Sequence, residues 1–296
     1  PESKFPTWNG ELYLQYHRGT LTSVAKNKAN NRKAERLLRE LEFLGAMALS
    51  QTGAAYPAVV LAEFWELVLI NQFHDILPGT SIPEVYADSD SEYGQIFSTL
   101  GSHNGPWHSA AQAFAKPEAD QLRLVNFTGQ SRSDLVDLGG DVALDGLALA
   151  TPAGTGAIQK TVRADGSTSF GAMVPDIAGL GWTAGQIVAD GAGSAAPLSV
   201  SDTHLENKLL KVSFDAAGEI TSVFDKSRNR ETLAPGERGN RLIAYEDKSM
   251  EWDAWDIDRY FEEQFWPLAD GKCAISVVET GPLRAAIRVE RSYQRS

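Results

Sequence analysis

The hydrophobic period of this chain is helical from about Ser23 to residue 100 and becomes two beyond residue 120. Helices followed by strands, rather than the two in alternation, imply separate all-α and all-β regions and argue against a βαβ fold. From about Ser23, Ala34, Leu37, Leu38, Leu41, Leu44 and Ala48 recur on one face, while Lys26, Lys28, Arg32, Lys33, Arg36, Arg39 and Glu40 form a polar one. The stretch 52–57, with Gly53 and Pro57, ends this helix. A second is expected over 58–73; its apolar Leu61, Phe64, Trp65, Leu67, Val68 and Ile70 cover more than one face, which predicts a central position. Ser81-Ile82-Pro83-Glu84 carries the capping-box pattern for a third, with Ile82, Val85, Tyr93 and Ile96 as its inward stripe. Short connections make an antiparallel three-helix bundle the economical arrangement. Before it, Gly10 to His17 alternates as a short strand or extended entry would.

The expected class is therefore α + β multidomain, a three-helix bundle followed by β-sandwich domains. The bundle is placed at residues 1–100, a linker at 101–118, a small sandwich-like domain at 119–200 and the start of a larger β region at 201–296. Strands are expected at Leu122–Phe127, Leu135–Leu138 and Leu144–Ala150, with weaker candidates at Ile158–Val162 and Gly185–Val188. The clearest hairpin places Leu210, Val212 and Phe214 against Ile220, Ser222 and Phe224 around Asp215-Ala216-Ala217-Gly218. Ala274–Val278 and Arg284–Glu290 form a second pair. Repeated short strands of this kind point to a sandwich.

Lys and Arg total 27 against 39 Asp and Glu, a net charge of −12, which argues against a nucleic-acid or anionic-membrane partner. No apolar run approaches the ~20 residues of a transmembrane helix. Cys273 is the single cysteine, so a reducing, cytoplasmic setting is expected. The chain opens at Pro1, without an initiator Met, which suggests a segment of a longer protein. Strand edges left open at Ser296 would favour homo-oligomers.

Of five histidines, His103, His108 and His204 read as exposed or locally bonded. His74 differs: it ends the most apolar helix and is followed by Asp75, a pairing of N and O donors of the type zinc accepts. A C-terminal helix cap is the equal alternative. No nearby residues complete a metal shell, and no nucleophile elbow or phosphate loop occurs. The run Tyr245 to Asp258 interleaves Trp252 and Trp255 with Asp253 and Asp256; rings stack on pyranose faces and carboxylates accept sugar hydroxyls. An acidic solvated loop anchored by two Trp explains it as well. Asn126-Phe127-Thr128 is a lone glycosylation sequon.

Trp8 to Thr20 and Asn71-Gln72-Phe73-His74-Asp75-Ile76-Leu77-Pro78-Gly79-Thr80 resemble the middle domain of glycoside hydrolase family 38 α-mannosidases, in their bacterial and cytosolic-type branch. Leu205-Glu206-Asn207, Asp225-Lys226 and Tyr245 to Asp258 are similar to the start of that family's C-terminal β region. The resemblance implies a fragment of a retaining, zinc-dependent enzyme acting on terminal α-mannosides. By motif position it makes His74 a zinc ligand and Asp75 a holder of sugar hydroxyls. It places His17 where other branches carry a sugar-facing aromatic, and here implies a polar contact. The remaining zinc ligands, nucleophile and general acid belong to an N-terminal catalytic domain not seen in this sequence. A retaining glycosidase needs two carboxyl groups about 5–5.5 Å apart, and neither is assignable here. No catalytic residue is therefore expected in this chain, which should be inactive alone. The rival expectation is a non-catalytic carbohydrate-binding or scaffold module.

Overall fold

The computed structural model describes residues 4, 6, 7, 9, 17–114, 121–140, 142–189, 198–268 and 271–293. The extended entry at Gly10–Tyr16, and with it most of the Trp8–Thr20 stretch, lies outside them. Two compact units result, one from residues 1–116 with 245–265, the other from 117–244 with 266–296.

In the helical unit a 3-10 turn at Gly19–Leu21 leads into α1, Ala25–Thr52. Asn27, Asn31, Ala34, Leu38, Leu41, Leu44 and Ala48 are buried along one stripe of α1, the three-and-four spacing that makes a helix amphipathic. Gly53 ends it in the left-handed conformation, its amide donating to the Leu49 carbonyl. α2, Ala58–Asn71, buries Leu61, Phe64, Val68 and Asn71. The expectation of a central α2 is corrected: Val59 is 80% exposed, Leu69 61% and Ile70 56%. α3, Pro83–Gly101, buries Ser89, Tyr93, Ile96 and Leu100. Its capping box does not form. Ile82 holds the cap position without a side-chain bond, and the Ser81 hydroxyl donates instead to the Asp75 carbonyl at 2.5 Å. A fourth helix, α4, Pro106–Phe114, stands where a linker was expected, and buries Ala110 and Phe114.

The second unit is antiparallel throughout. Strands β1 (Gln121–Asn126), β2 (Arg132–Asp137), β3 (Ala148–Thr151), β4 (Gly154–Val162), β5 (Thr168–Ile177) and β6 (Gly181–Val188) form one sheet in the order β1-β6-β3-β4-β5-β2. Leu124, Leu149, Ala172, Val174 and Ile177 make its core. A second sheet joins β7 (Ser199–Val200), β8 (His204–Glu206), β9 (Leu210–Phe214), β10 (Ile220–Asp225) and β11 (Arg230–Glu231) in the order β11-β10-β9-β8-β7. The expected hairpin is β9–β10, where the Asp215 carboxylate accepts the amides of Ala217 and Glu219 at 3.0 Å each and Gly218 turns at φ +71°. Short strands β12 (Ile243–Tyr245) and β13 (Phe265–Pro267) pair with each other. The second expected hairpin, β14 (Lys272–Thr280) with β15 (Ala285–Ser292), is tied to β4. The Arg284 guanidinium donates to both Glu279 oxygens, and one of those accepts the Val162 amide at 2.5 Å.

Candidate functional site

A cleft of about 600 Å³ in the helical unit is lined by residues from three stretches of chain, among them His17, Lys28, Gln72, His74 and Trp255. Lys28, Asn31 and Arg32 of α1 line it, and polar side chains of α3 brace the α1 amides from behind. The amide side chains of Asn27 and Asn31, in the first turns of α1, face the end of α2 and the loop that follows it. Asn27 donates to the Ile76 carbonyl at 2.9 Å, and Ser89 donates to the other end of the Asn27 amide at 3.0 Å. Asn31 accepts from Gln72 at 3.1 Å and from Tyr93 at 3.3 Å. Burial, with Glu35 and Glu92 nearby, raises the Tyr93 pKa, so its hydroxyl remains a donor.

The loop carrying His74 follows α2 as successive turns, with Ile76 and Leu77 donating to the Phe73 carbonyl and Gly79 to Ile76. Three hydroxyls, from Thr80, Ser81 and Tyr86, donate to the Asp75 carbonyl. Gly79, at φ +93°, passes so close to Ser23 that a Cβ would overlap its carbonyl. His74 projects from this frame with its side chain 75% exposed, its Nε2 3.5 Å from the Asp75 carboxylate. Gln72 occupies the C-cap of α2 and donates to carbonyls of its last turn, so His74 lies past the capping position.

Trp255, in the 252–256 turn, lines the cleft across from these residues. His17 meets the Trp255 ring edge-on, centroids 5.1 Å apart at 88°. Its Nδ1 is enclosed and has no hydrogen-bond partner among the described residues. The Gly19 amide donates to the Trp255 carbonyl at 2.8 Å, and the Ser23 hydroxyl to Ala254 at 2.7 Å.

The structure thus gathers His17, His74 and Trp255 around one cleft, with Asp75 beside His74. Trp252, 65% exposed at φ +60°, and the exposed Asp253 are not among the cleft-lining residues. Asp256 is buried, 4% exposed, and accepts the Ile257 amide at 2.9 Å. Sequence reasoning left Lys28 on a solvated face and did not single out Asn31 or Gln72; amides on an otherwise apolar helix stripe were the available signal. Among the described residues no three His, Cys, Asp or Glu side chains converge as a metal site. His74 and Asp75 offer two donors, fewer than the three or four protein ligands zinc takes. Among those residues, no helix is long and apolar enough to cross a membrane.

Residues 15–103 match the alpha mannosidase middle domain, and residues 205–296 the glycosyl hydrolases family 38 C-terminal domain. The chain belongs to glycosyl hydrolase family 38. It is 31% identical over 284 residues to the Mus musculus protein named Alpha-mannosidase 2C1, and equally so to its Homo sapiens counterpart. Each alignment covers 95% of this chain but 25% of the relative, so this family 38 chain spans about a quarter of their length. Alpha-mannosidase G of Dictyostelium discoideum is 29% identical over 97% of the chain and 29% of its own length. Two crystal structures from Enterococcus faecalis share the fold. One, described as an alpha-mannosidase, has TM-score 0.68 and 17% identity, covering 92% of this chain and 35% of that one. The other, described as a family 38 protein, has TM-score 0.70 and 17% identity over 98% and 38%.

Proposed function

We propose that this chain is part of a retaining, zinc-dependent α-mannosidase and forms one wall of its sugar site. The observation that carries this reading is the cleft that joins His74, on its braced turn, to His17 and Trp255. The exposed His74 imidazole, with the Asp75 carboxylate beside it, would supply two donors to zinc and to sugar hydroxyls; the other ligands and both catalytic carboxyl groups come from elsewhere in the parent enzyme. Zinc in such a site acts as a Lewis acid and orients the substrate.

The residues of this chain then bind and orient. Trp255 offers a ring face or edge to the pyranose. With Nδ1 of His17 enclosed, a polar contact from that ring falls to Nε2. Trp252 and Asp253, exposed on the same turn, are available to further sugar units, while the buried Asp256 holds the turn in shape. The relatives' names support the reaction class, and the single Cys273 fits a cytoplasmic parent.

The test is made in the longest protein that carries this chain. His74→Ala should remove retained zinc and hydrolysis of an aryl α-mannoside while leaving the unfolding free energy of the metal-free protein within about 0.5 kcal/mol, because the side chain is exposed. Full zinc retention in folded His74→Ala would overturn the assignment. For the chain alone, calorimetry should detect only weak zinc binding, and no turnover.

A further inference from the structure

Lys28 is one turn into α1, and its ammonium is bonded on every side. Nζ donates to the carbonyls of Ser23 at 2.6 Å, Leu77 at 3.0 Å and Pro78 at 2.9 Å, which uses all three of its hydrogens. By contrast, Lys26, two residues earlier, makes a 2.6 Å pair with Asp90 on a side chain 69% exposed. Burial lowers the Lys28 pKa, as expected for an ammonium drawn from water. Carbonyl acceptors in place of a carboxylate leave the charge uncancelled while pinning backbone. Two of the pinned carbonyls follow His74 and Asp75 by a few residues. The third belongs to Ser23, whose hydroxyl reaches the Ala254 carbonyl in the 252–256 turn. One cation therefore joins the His74 turn to the 17–23 segment, which in turn carries His17 and binds Trp255.

We propose that Lys28 is a positioning residue of the cleft: its ammonium, held by the carbonyls of Ser23, Leu77 and Pro78, fixes the turn that presents His74 and Asp75. Its link to hydrolysis rests on the function proposed above; the positioning itself does not. Asn27, Tyr86 and Ser81 brace carbonyls at Asp75 and Ile76, but only Lys28 reaches past them to Leu77 and Pro78 among the side-chain donors described. Charge-assisted bonds are about twice as strong as neutral ones, so the far end of the turn depends on this side chain.

Amide hydrogen exchange on the present chain tests it. In Lys28→Met, which keeps the length of the stem, the amides of Ile76, Leu77 and Gly79 should exchange at least tenfold faster. Those of Leu38, Leu41 and Ile96 in the bundle core should stay within twofold. Lys28→Ala should behave alike and regain protection on addition of n-propylammonium, but not of n-propanol. Unchanged exchange at residues 76–79 in folded Lys28→Met would overturn the proposal, as would equal acceleration in the bundle core or equal rescue by the alcohol. In a longer enzyme carrying this chain, Lys28→Met should also weaken zinc retention against a chelator at least fivefold. A loosened turn with zinc retention unchanged would uphold Lys28 and overturn the reading of His74 as a ligand.

Discussion

The amide of Gly19 donates to the carbonyl of Trp255 at 2.8 Å, and the two backbones lie so close that a side chain at residue 19 would be tightly crowded. A Cβ on Gly19 would stand 3.1 Å from the Trp255 carbonyl carbon and 3.2 Å from the Ala254 oxygen. Gly19→Ala should therefore cost about 1–3 kcal/mol in urea unfolding. It should also shift the fluorescence of Trp255, because the 252–256 turn must move to make room.

Gly79→Ala should be more severe. The position combines φ +93° with an overlap on the Ser23 carbonyl, so backbone strain and steric conflict add. We expect a loss of about 3 kcal/mol or more by chemical denaturation, or failure to accumulate as folded protein at 37 °C.

Asn126 heads a glycosylation sequon yet is fully buried. Its Nδ2 lies among the carbonyls of Gln130, Ile177 and Ala178, and its Oδ1 accepts from the Thr128 amide and hydroxyl. The folded chain expressed through a secretory route should thus show no added glycan mass at this site. Asn126→Ala should lose about 3 kcal/mol or more, since several enclosed polar groups are left unpaired.

Acid should weaken the β unit through its paired carboxylates. Hydrogen bonds from Arg284 hold the Glu279 carboxyl below its ordinary value of 4.5, and Ser169, Arg163 and the Gly139 amide lower Asp137 to about 2. A depressed folded-state pKa means the unfolded chain binds protons more readily. The stabilisation is therefore complete above the ordinary carboxylate range and declines as pH falls from about 4.5 towards 2. Glu279→Gln should lower the urea midpoint at pH 7 and approach wild type at pH 3; an equal deficit at both values would exclude the ion pair as its source.

Helix α1 and the β9–β10 hairpin were legible in the sequence because each buries one face and each ends in a glycine turn, at Gly53 and Gly218. Strand β5 was not. Ser169, Phe170, Gly171 and Ala172 are buried in succession, so both faces are covered and the alternation that marks a strand disappears. Helix α4 escaped because nine residues opening at Gly105-Pro106 show too few turns for a period to stand out. The capping box failed because a competing acceptor, the Asp75 carbonyl, lies within reach of Ser81 in space but not in the local pattern. Of the site, His74 and Asp75 were visible as a motif. That Trp255 faces His17 rests on tertiary contacts, and Lys28 looked like any surface lysine until the three carbonyls around it were seen.

The helical unit takes in residues 245–265 from far along the chain. On a ribosome, which makes protein from the N-terminus onward, its four helices are finished long before the 252–256 turn exists. Until that turn is synthesised, Gly19 and Ser23 have no Trp255 or Ala254 to bind, and His17 has no ring to pack against. The nascent bundle must therefore wait with one flank of its cleft open to cellular water while strands β1 to β11 are made.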